Sequence, residues 1–290
     1  MNLTSSNAVR TLWTVLGPRV PLFVTGLFAL AGMFSAQPAA GEEPPRPTQR
    51  IASSFNVSIV PGQYDVVNQI LDFPQGAATR LHQHGGQAFV TVIEGKVTRR
   101  EGNIESTFGP GQTFIEVPGA LHTVTNKGSV RARVFASFLL SPGAPQTINH
   151  LGEAAPGVSP TATFLARTTL NTQPGELTLT QAIVDFAPGA VQPLHRHGGQ
   201  GLVMVIDGEV AFTNSGGEVR LKPGGTFADL GDPHDARNLS PGTSTTAVTF
   251  LVRKGEAQTT FLAAADSPTA AGTSPTIRPP VTGDGGLLVR

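Results

Sequence analysis

Six of the chain's seven histidines fall into two matching sets, His82, His84 and His122 in the first half and His195, His197 and His234 in the second; only His150 stands outside them. In each set two rings are one residue apart and the third follows well downstream. Side chains at i and i+2 of a strand point to one face, so each close pair aims two imidazoles into one space. Two rings on a rigid strand make half a site for a divalent metal. A third from a neighbouring strand completes a facial set and leaves positions open for water, substrate or dioxygen. A single histidine reads as a polar residue satisfied by core or solvent, whereas three of them, repeated in register, read as ligands. The expectation is one divalent transition metal per half, and nitrogen ligation suits Fe, Mn, Cu, Ni or Zn.

The two sets are spaced by a duplication. Leu81-His82-Gln83-His84-Gly85-Gly86-Gln87 returns as Leu194-His195-Arg196-His197-Gly198-Gly199-Gln200. Phe73/Phe186, Gly76/Gly189, Gly95/Gly208 and Pro110/Pro223 keep the same offset, which shortens by one residue before His122/His234 and Asn126/Asn238. A long unit present twice is a duplicated domain, not a solenoid. Val- and Ile-rich runs, broken by Gly and Pro, predict strands over Tyr64–Phe73, Ala88–Ile93 and Val130–Leu140, and over Leu177–Phe186, Leu202–Ile206 and Thr245–Val252. No stretch carries a helical period with caps, so the fold class expected is an all-β barrel or sandwich. Glu94 and Asp207 read as hairpin-turn residues beside Gly95 and Gly208.

Composition narrows the function classes. Twenty basic residues balance twenty acidic ones, which gives no field to draw nucleic acid or an anionic membrane surface. With no cysteine there is neither disulfide nor thiolate chemistry. Residues 1–41 have the order of an export signal: Arg10 and Arg19, the apolar run Val20–Phe34, then small residues up to Gly41. The run is short for a membrane span, so we expect a periplasmic or secreted protein with no stable span after cleavage; an uncleaved anchor is the alternative. The expected partition is a Pro-rich linker at 42–50, a first barrel at 51–150, a joint at 151–160, a second barrel at 161–265 and a flexible tail at 266–290. A small-molecule substrate or ligand is the expected partner, and homo-oligomerisation is left open.

These residues resemble the cupin family, and the whole chain resembles a bicupin. The motif G-x5-H-x-H-x3,4-E-x6-G is matched by Gly76, His82, His84 and Gly95, and again by Gly189, His195, His197 and Gly208. The motif G-x5-P-x-G-x2-H-x3-N is matched by Gly111, Gly119, His122 and Asn126, with Pro118 one place late, and by Gly231, His234 and Asn238, with the proline missing. The resemblance implies two tandem jelly-roll barrels with the histidines binding metal inside. It also exposes a departure, since the family's glutamate ligand falls on Ala88 and Gly201. Gln87 and Gln200 lie one residue earlier. They re-enter as weak ligands, or as donors to substrate, only if the Gly-Gly pair bulges the strand; otherwise they are exposed amides. Glu116 and Asp229, paired acids before the third histidine, are read as solvent-facing, with replacement of the lost carboxylate as the lesser alternative.

Neutral imidazoles leave a dipositive ion uncompensated, which favours an anionic chelating substrate such as an enolate, diketonate or phenolate. The first expectation is a metal-dependent oxidoreductase of dioxygenase type, with a dry cavity lined by Phe89, Phe114 and Phe227. The alternatives are a Zn or Mn isomerase or lyase, and a non-enzymatic metal- or ligand-binding protein.

Overall fold

A computed structural model describes residues 43–152, 156–172 and 175–263. The proposed signal and the whole of the proposed tail lie outside the described residues. The first half carries β1 (Thr48–Val57), β2 (Gly62–Phe73), β3 (His82–Gln83), β4 (Gln87–Glu94), β5 (Val97–Glu101), β6 (Ile104–Phe108), β7 (Thr113–Glu116), β8 (His122–Thr125), β9 (Ala132–Leu140) and β10 (Ile148–Asn149). The second carries β11 (Thr161–Thr172), β12 (Leu177–Phe186), β13 (Val191–His197), β14 (Gly199–Asp207), β15 (Val210–Asn214), β16 (Gly217–Leu221), β17 (Thr226–Asp229), β18 (His234–Asn238), β19 (Ser244–Arg253) and β20 (Thr259–Phe261). Among the described residues there is no helix, and all strand pairing is antiparallel. The chain forms two tandem jelly-roll barrels.

Each barrel is a pair of five-stranded sheets. The first has orders β11-β2-β9-β4-β7 and β10-β3-β8-β5-β6, and the second has β1-β12-β19-β14-β17 and β16-β15-β18-β13-β20. The halves exchange their opening strands: β1 pairs with β12 and β11 pairs with β2. Thr48, Gln49 and Arg50, placed in the linker by composition, are already strand, and Val191 N–H donates to the Pro45 carbonyl at 2.9 Å. Proline removes donors but leaves carbonyls free, so a Pro-rich segment can still dock through its oxygens.

Strands β2, β4 and β9 are buried on both faces, which is why they read as near-continuous apolar runs. Val67, Val90, Val134, Ala136 and Phe138 point into the first barrel, whereas Val66, Ile70, Phe89, Phe135 and Leu139 point out of it. The outward set packs against Leu179, Ile183, Leu202, Met204 and Leu251 of the second half, and Phe55 and Leu170 of the exchanged strands join this core. Phe89 therefore sits between the barrels, 5.0 Å from Phe55, and not at a substrate cavity. Within the seam lies a buried polar network. Gln181 donates to Ser137 Oγ (2.7 Å) and to the Phe89 carbonyl (3.0 Å), and it accepts from Thr91 Oγ1 (2.7 Å). Thr249 donates to Asn68 Oδ1 at 2.8 Å.

Removing one member of such a network leaves several buried groups unpaired. Gln181→Leu is expected to cost about 2–4 kcal/mol of stability, read as a lower urea midpoint. Both metal clusters lie apart from this residue and should be retained.

Candidate metal centres

The geometry of each cluster follows from strand pairing. His82 is the cross-strand partner of His122, and His195 of His234. The second member of each pair, His84 or His197, closes the triangle. Ring centroids in the first barrel are 4.2 Å (His82–His122), 4.8 Å (His82–His84) and 5.1 Å (His84–His122) apart. In the second they are 4.3, 4.9 and 5.5 Å apart. Within each trio, one nitrogen per ring lies within 4.8 Å of the others. The four rings of the i, i+2 pairs face the clusters as that spacing requires, and His122 and His234 join them from neighbouring strands.

Each ring is also oriented. The Nδ1–H groups donate to main-chain carbonyls: His82 to Arg80 (2.8 Å), His84 to Gln146 (2.6 Å) and His122 to Ala120 (2.9 Å). In the second barrel His195 donates to Pro193 (2.7 Å), His197 to Gln258 (2.7 Å) and His234 to Asp232 (3.0 Å). A carbonyl can only accept, so the neutral ring carries its proton on Nδ1 and presents an Nε2 lone pair to the cluster. Of these, His122 Nε2 is buried with no hydrogen-bond partner. Converging lone pairs in a buried, rigid setting fit a divalent transition metal, which His82, His84 and His122 would hold in one barrel and His195, His197 and His234 in the other.

The paired acids are not solvent-facing. Glu116 is 3% exposed and Asp229 1%. Strand alternation was read correctly but the faces were exchanged, because Ile115 and Ala228, between the buried positions, point outward. Glu116 Oε2 is at hydrogen-bonding distance and angle from His84 Nε2 (2.9 Å), and Oε1 lies 2.9 Å from His122 Nε2, a contact without hydrogen-bond alignment. Asp229, one methylene shorter, accepts from Gly231 N–H through Oδ1 (2.8 Å). Its Oδ2 has no hydrogen-bond partner and stands 3.6 Å from His197 Nε2.

Gln87 and Gln200 do not enter either cluster. Pairing runs unbroken through Gln87↔Leu139 and Ala88↔Phe138, and through Gln200↔Leu251 and Gly201↔Phe250, so no bulge turns the amides inward. Gln200 Oε1 accepts instead from the Asn171 amide on β11 (3.1 Å). The Gly-Gly pair serves close approach: a Cβ on Gly86 would stand 2.2 Å from the Leu139 carbonyl oxygen, and one on Gly199 1.9 Å from that of Leu251.

Two unlike cavities open onto the clusters. The first, about 420 Å³, is bounded by Arg80, His82, His84, Phe114, Glu116 and Phe138, among others. The second, about 820 Å³, has largely apolar walls that include Phe186, Phe212, Val248, Phe250 and Phe261, and Arg46 and Pro47 reach its mouth from before β1. Phe114 meets its expectation; Phe227 is buried behind the second cavity, stacked on Phe212 at 4.8 Å.

Burial and neighbouring imidazoles push His82 down to about 4 and His195 down to about 3. His197 is lowered too, chiefly by burial. At Glu116 burial acts upward, but the His122 and His84 contacts outweigh it and hold the carboxyl low, while Glu116 in turn raises His122 against its own burial. Asp229, buried with weaker contacts, is raised.

Both halves match the family model described as Cupin domain, over residues 69–138 and 182–252. With these matches on two tandem jelly-roll barrels, the protein is a bicupin with a potential metal-binding histidine cluster in each barrel. Among solved structures, a variant of Bacillus subtilis oxalate decarboxylase is 13% identical, covering 74% of this chain and 80% of that one, with a TM-score of 0.49. Lactobacillus farciminis oxalate decarboxylase in its formate complex is 13% identical over 77% and 90%, with a TM-score of 0.47. AerE from Microcystis aeruginosa is 12% identical over 72% and 98%, with a TM-score of 0.46. At these values the likeness bears on neither substrate nor reaction. A search of the curated proteins gave no match.

Two outcomes follow for these clusters. If both barrels are loaded, replacing His82 and His84 together by Ala should remove about half the bound metal, because one remaining ring makes no stable set; elemental analysis reads this directly. For the metal-free protein, histidines lowered on folding bind more protons when unfolded. Their contribution is therefore present above pH ~6.5 and is lost as pH falls toward the folded values, by up to about 1.4 kcal/mol per pH unit for each ring. The raised His122 acts oppositely but is outnumbered by His82, His195 and His197. Thermal melts in chelator should give a lower Tm at pH 5 than at pH 7.

Proposed function

We propose that this bicupin is an exported, metal-dependent oxidoreductase of dioxygenase type acting on a small oxygenated organic anion, with the second barrel as its reaction chamber. The carrying observation is the second cavity itself. It joins His195, His197 and His234 to an apolar chamber, and no carboxylate is among the residues that bound it. Side-chain acid-base chemistry has little to work with there, so a bound metal would supply Lewis acidity and, if redox-active, electron transfer with dioxygen.

The chain's own residues supply the setting. Phe186, Phe212, Phe250 and Phe261 present ring faces and edges to an aromatic or diketone skeleton and keep bulk water away. Phe250 lies on His197 with ring centroids 4.0 Å apart, which fixes that imidazole from the side its Nδ1 bond leaves free. The Arg46 guanidinium lies 5.5 Å from the Phe261 ring centroid at the mouth, a cation placed to meet an anionic group as it enters. Export rests on the pattern of residues 1–41.

A second reading draws on the first barrel. Its smaller cavity puts Arg80 and Glu116 beside the histidines, two charged groups suited to an oxygen-independent isomerase or lyase using Zn or Mn.

The test is elemental analysis of protein purified without added metal, followed by oxygen-electrode assays with β-diketones and catechols. We expect Fe, Cu, Ni or Mn, oxygen uptake in step with substrate loss, and at least a hundredfold fall for His195→Ala/His197→Ala with most activity kept in His82→Ala/His84→Ala. Turnover under anaerobic conditions with Zn or Mn would move the assignment to the isomerase or lyase reading. Ligand binding without turnover would make the protein a binding cupin.

A further inference from the structure

The two clusters differ in one group, and the difference traces to strand register. Ala88 on β4, where the family pattern places its glutamate, is the direct cross-strand partner of Glu116 on β7. In the second half Gly201 is likewise the partner of Asp229. Cross-strand partners share a face, with Cβ atoms about 4.5–5.5 Å apart. A carboxylate lost from one strand has thus reappeared opposite, facing the same interior.

The contacts of Glu116 call for a cation. His84 and His122 both spend their ring proton on main-chain carbonyls, so their neutral Nε2 atoms offer lone pairs. Carboxylate oxygens offer lone pairs as well, yet they sit 2.9 Å from each of these nitrogens. Two acceptors at that distance repel unless a cation lies between them, either a proton on the ring, with which His84 Nε2 donates to Oε2, or a metal ion that both atoms ligate. Ligands bonded at about 2.0–2.2 Å and at right angles around one metal stand about 3 Å apart, which is the spacing found here.

Asp229 does not reach. Oδ1 is tied to the Gly231 amide, and Oδ2 stops 3.6 Å short of His197 Nε2. Nor can the family position be refilled in that barrel, since a Cβ on Gly201 would lie 2.2 Å from the Phe250 ring.

We propose that Glu116, carried on β7 across from the vacated position at Ala88, is the fourth protein ligand of the first metal site, and that the second site holds its metal through three histidines alone. The first site would then be a more neutral, tighter centre and the second a more electrophilic one. The assignment rests on the metal-binding reading of the clusters, and binding rather than turnover tests it.

Mn(II) affinity is measured in two backgrounds: His195→Ala/His197→Ala, which isolates the first site, and His82→Ala/His84→Ala, which isolates the second. We expect Glu116→Gln to weaken the first site at least about tenfold, as loss of a charged ligand requires, and Asp229→Asn to leave the second within about threefold. Glu116→Gln binding within about threefold of its parent would overturn the assignment and make Glu116 the partner of a protonated imidazole. A tenfold loss in Asp229→Asn would overturn the inequality of the sites. Parents that bind no Mn(II) would remove the metal reading as well. Should Glu116→Gln fail to fold, a crystal structure of the unaltered protein with Mn(II) decides: a Glu116 oxygen at about 2.0–2.3 Å from the ion supports the proposal, and one beyond about 3 Å ends it.

Discussion

The hydrogen bond from each ring's Nδ1 to a main-chain carbonyl is the interaction on which the rest of this structure depends. It fixes the tautomer, and it sets the ring plane so that three Nε2 atoms meet. Four of the six bonds are local, made to the carbonyl two residues earlier by His82, His122, His195 and His234. The other two are long-range: His84 and His197 reach Gln146 and Gln258, which precede the short closing strands β10 and β20. Those strands pair with the histidine-bearing β3 and β13, so their role is to deliver a carbonyl to a ring as much as to extend a sheet.

Strand exchange makes the two sites interdependent. Ala78 N–H donates to the Val158 carbonyl, and Val191 N–H to that of Pro45, both at 2.9 Å, so the segments before β11 and β1 occupy equivalent places at opposite barrels. Each then borders a cavity it does not share a half with, Ser159 and Pro160 the first and Arg46 and Pro47 the second. The apolar core between the barrels is built from both halves and both exchanged strands. Neither barrel is therefore closed by its own half of the sequence. The exchanged segments themselves differ in charge, with Ser159 bordering the first cavity and Arg46 the second.

Much of this was legible in the chain. Six histidines repeated in register located both clusters, and Val/Ile runs located β2, β4, β9, β12, β14 and β19 but not β1 or β11, because side-chain period and ligand spacing are local properties. Strand exchange was hidden because β1 and β11 pair with residues in the other half of the chain, and nothing in Thr48–Val57 names its partner. The role of Glu116 was hidden for a related reason. Alternation places a carboxylate on one of two faces but does not say which face is wet, and in a strand of four residues the single apolar outlier Ile115 had no pattern to set against it. The signal that would have found Glu116 is pairing register: the vacancy at Ala88 and the acid at 116 lie opposite each other.

The inequality of the two centres comes down to one deleted residue and one methylene. Val117-Pro118-Gly119 in the first half corresponds to Leu230-Gly231 in the second, and both glycines have positive φ. In the longer turn Gly119 N–H reaches the His84 carbonyl at 3.1 Å, leaving the preceding acid free to extend toward the rings. In the shorter turn the glycine falls two positions after the acid, where an aspartate side chain naturally accepts from the backbone, and Oδ1 is captured there. Phe138 and Phe250 pack on His84 and His197 at 5.0 and 4.0 Å, so both interiors are aromatic, and the carboxylate that reaches the rings distinguishes the first. The turn and the shorter acid thus separate a histidine–carboxylate cluster beside a smaller cavity from a histidine cluster beside a larger one. This difference allows two copies of one domain to do different chemistry without moving any of the six rings.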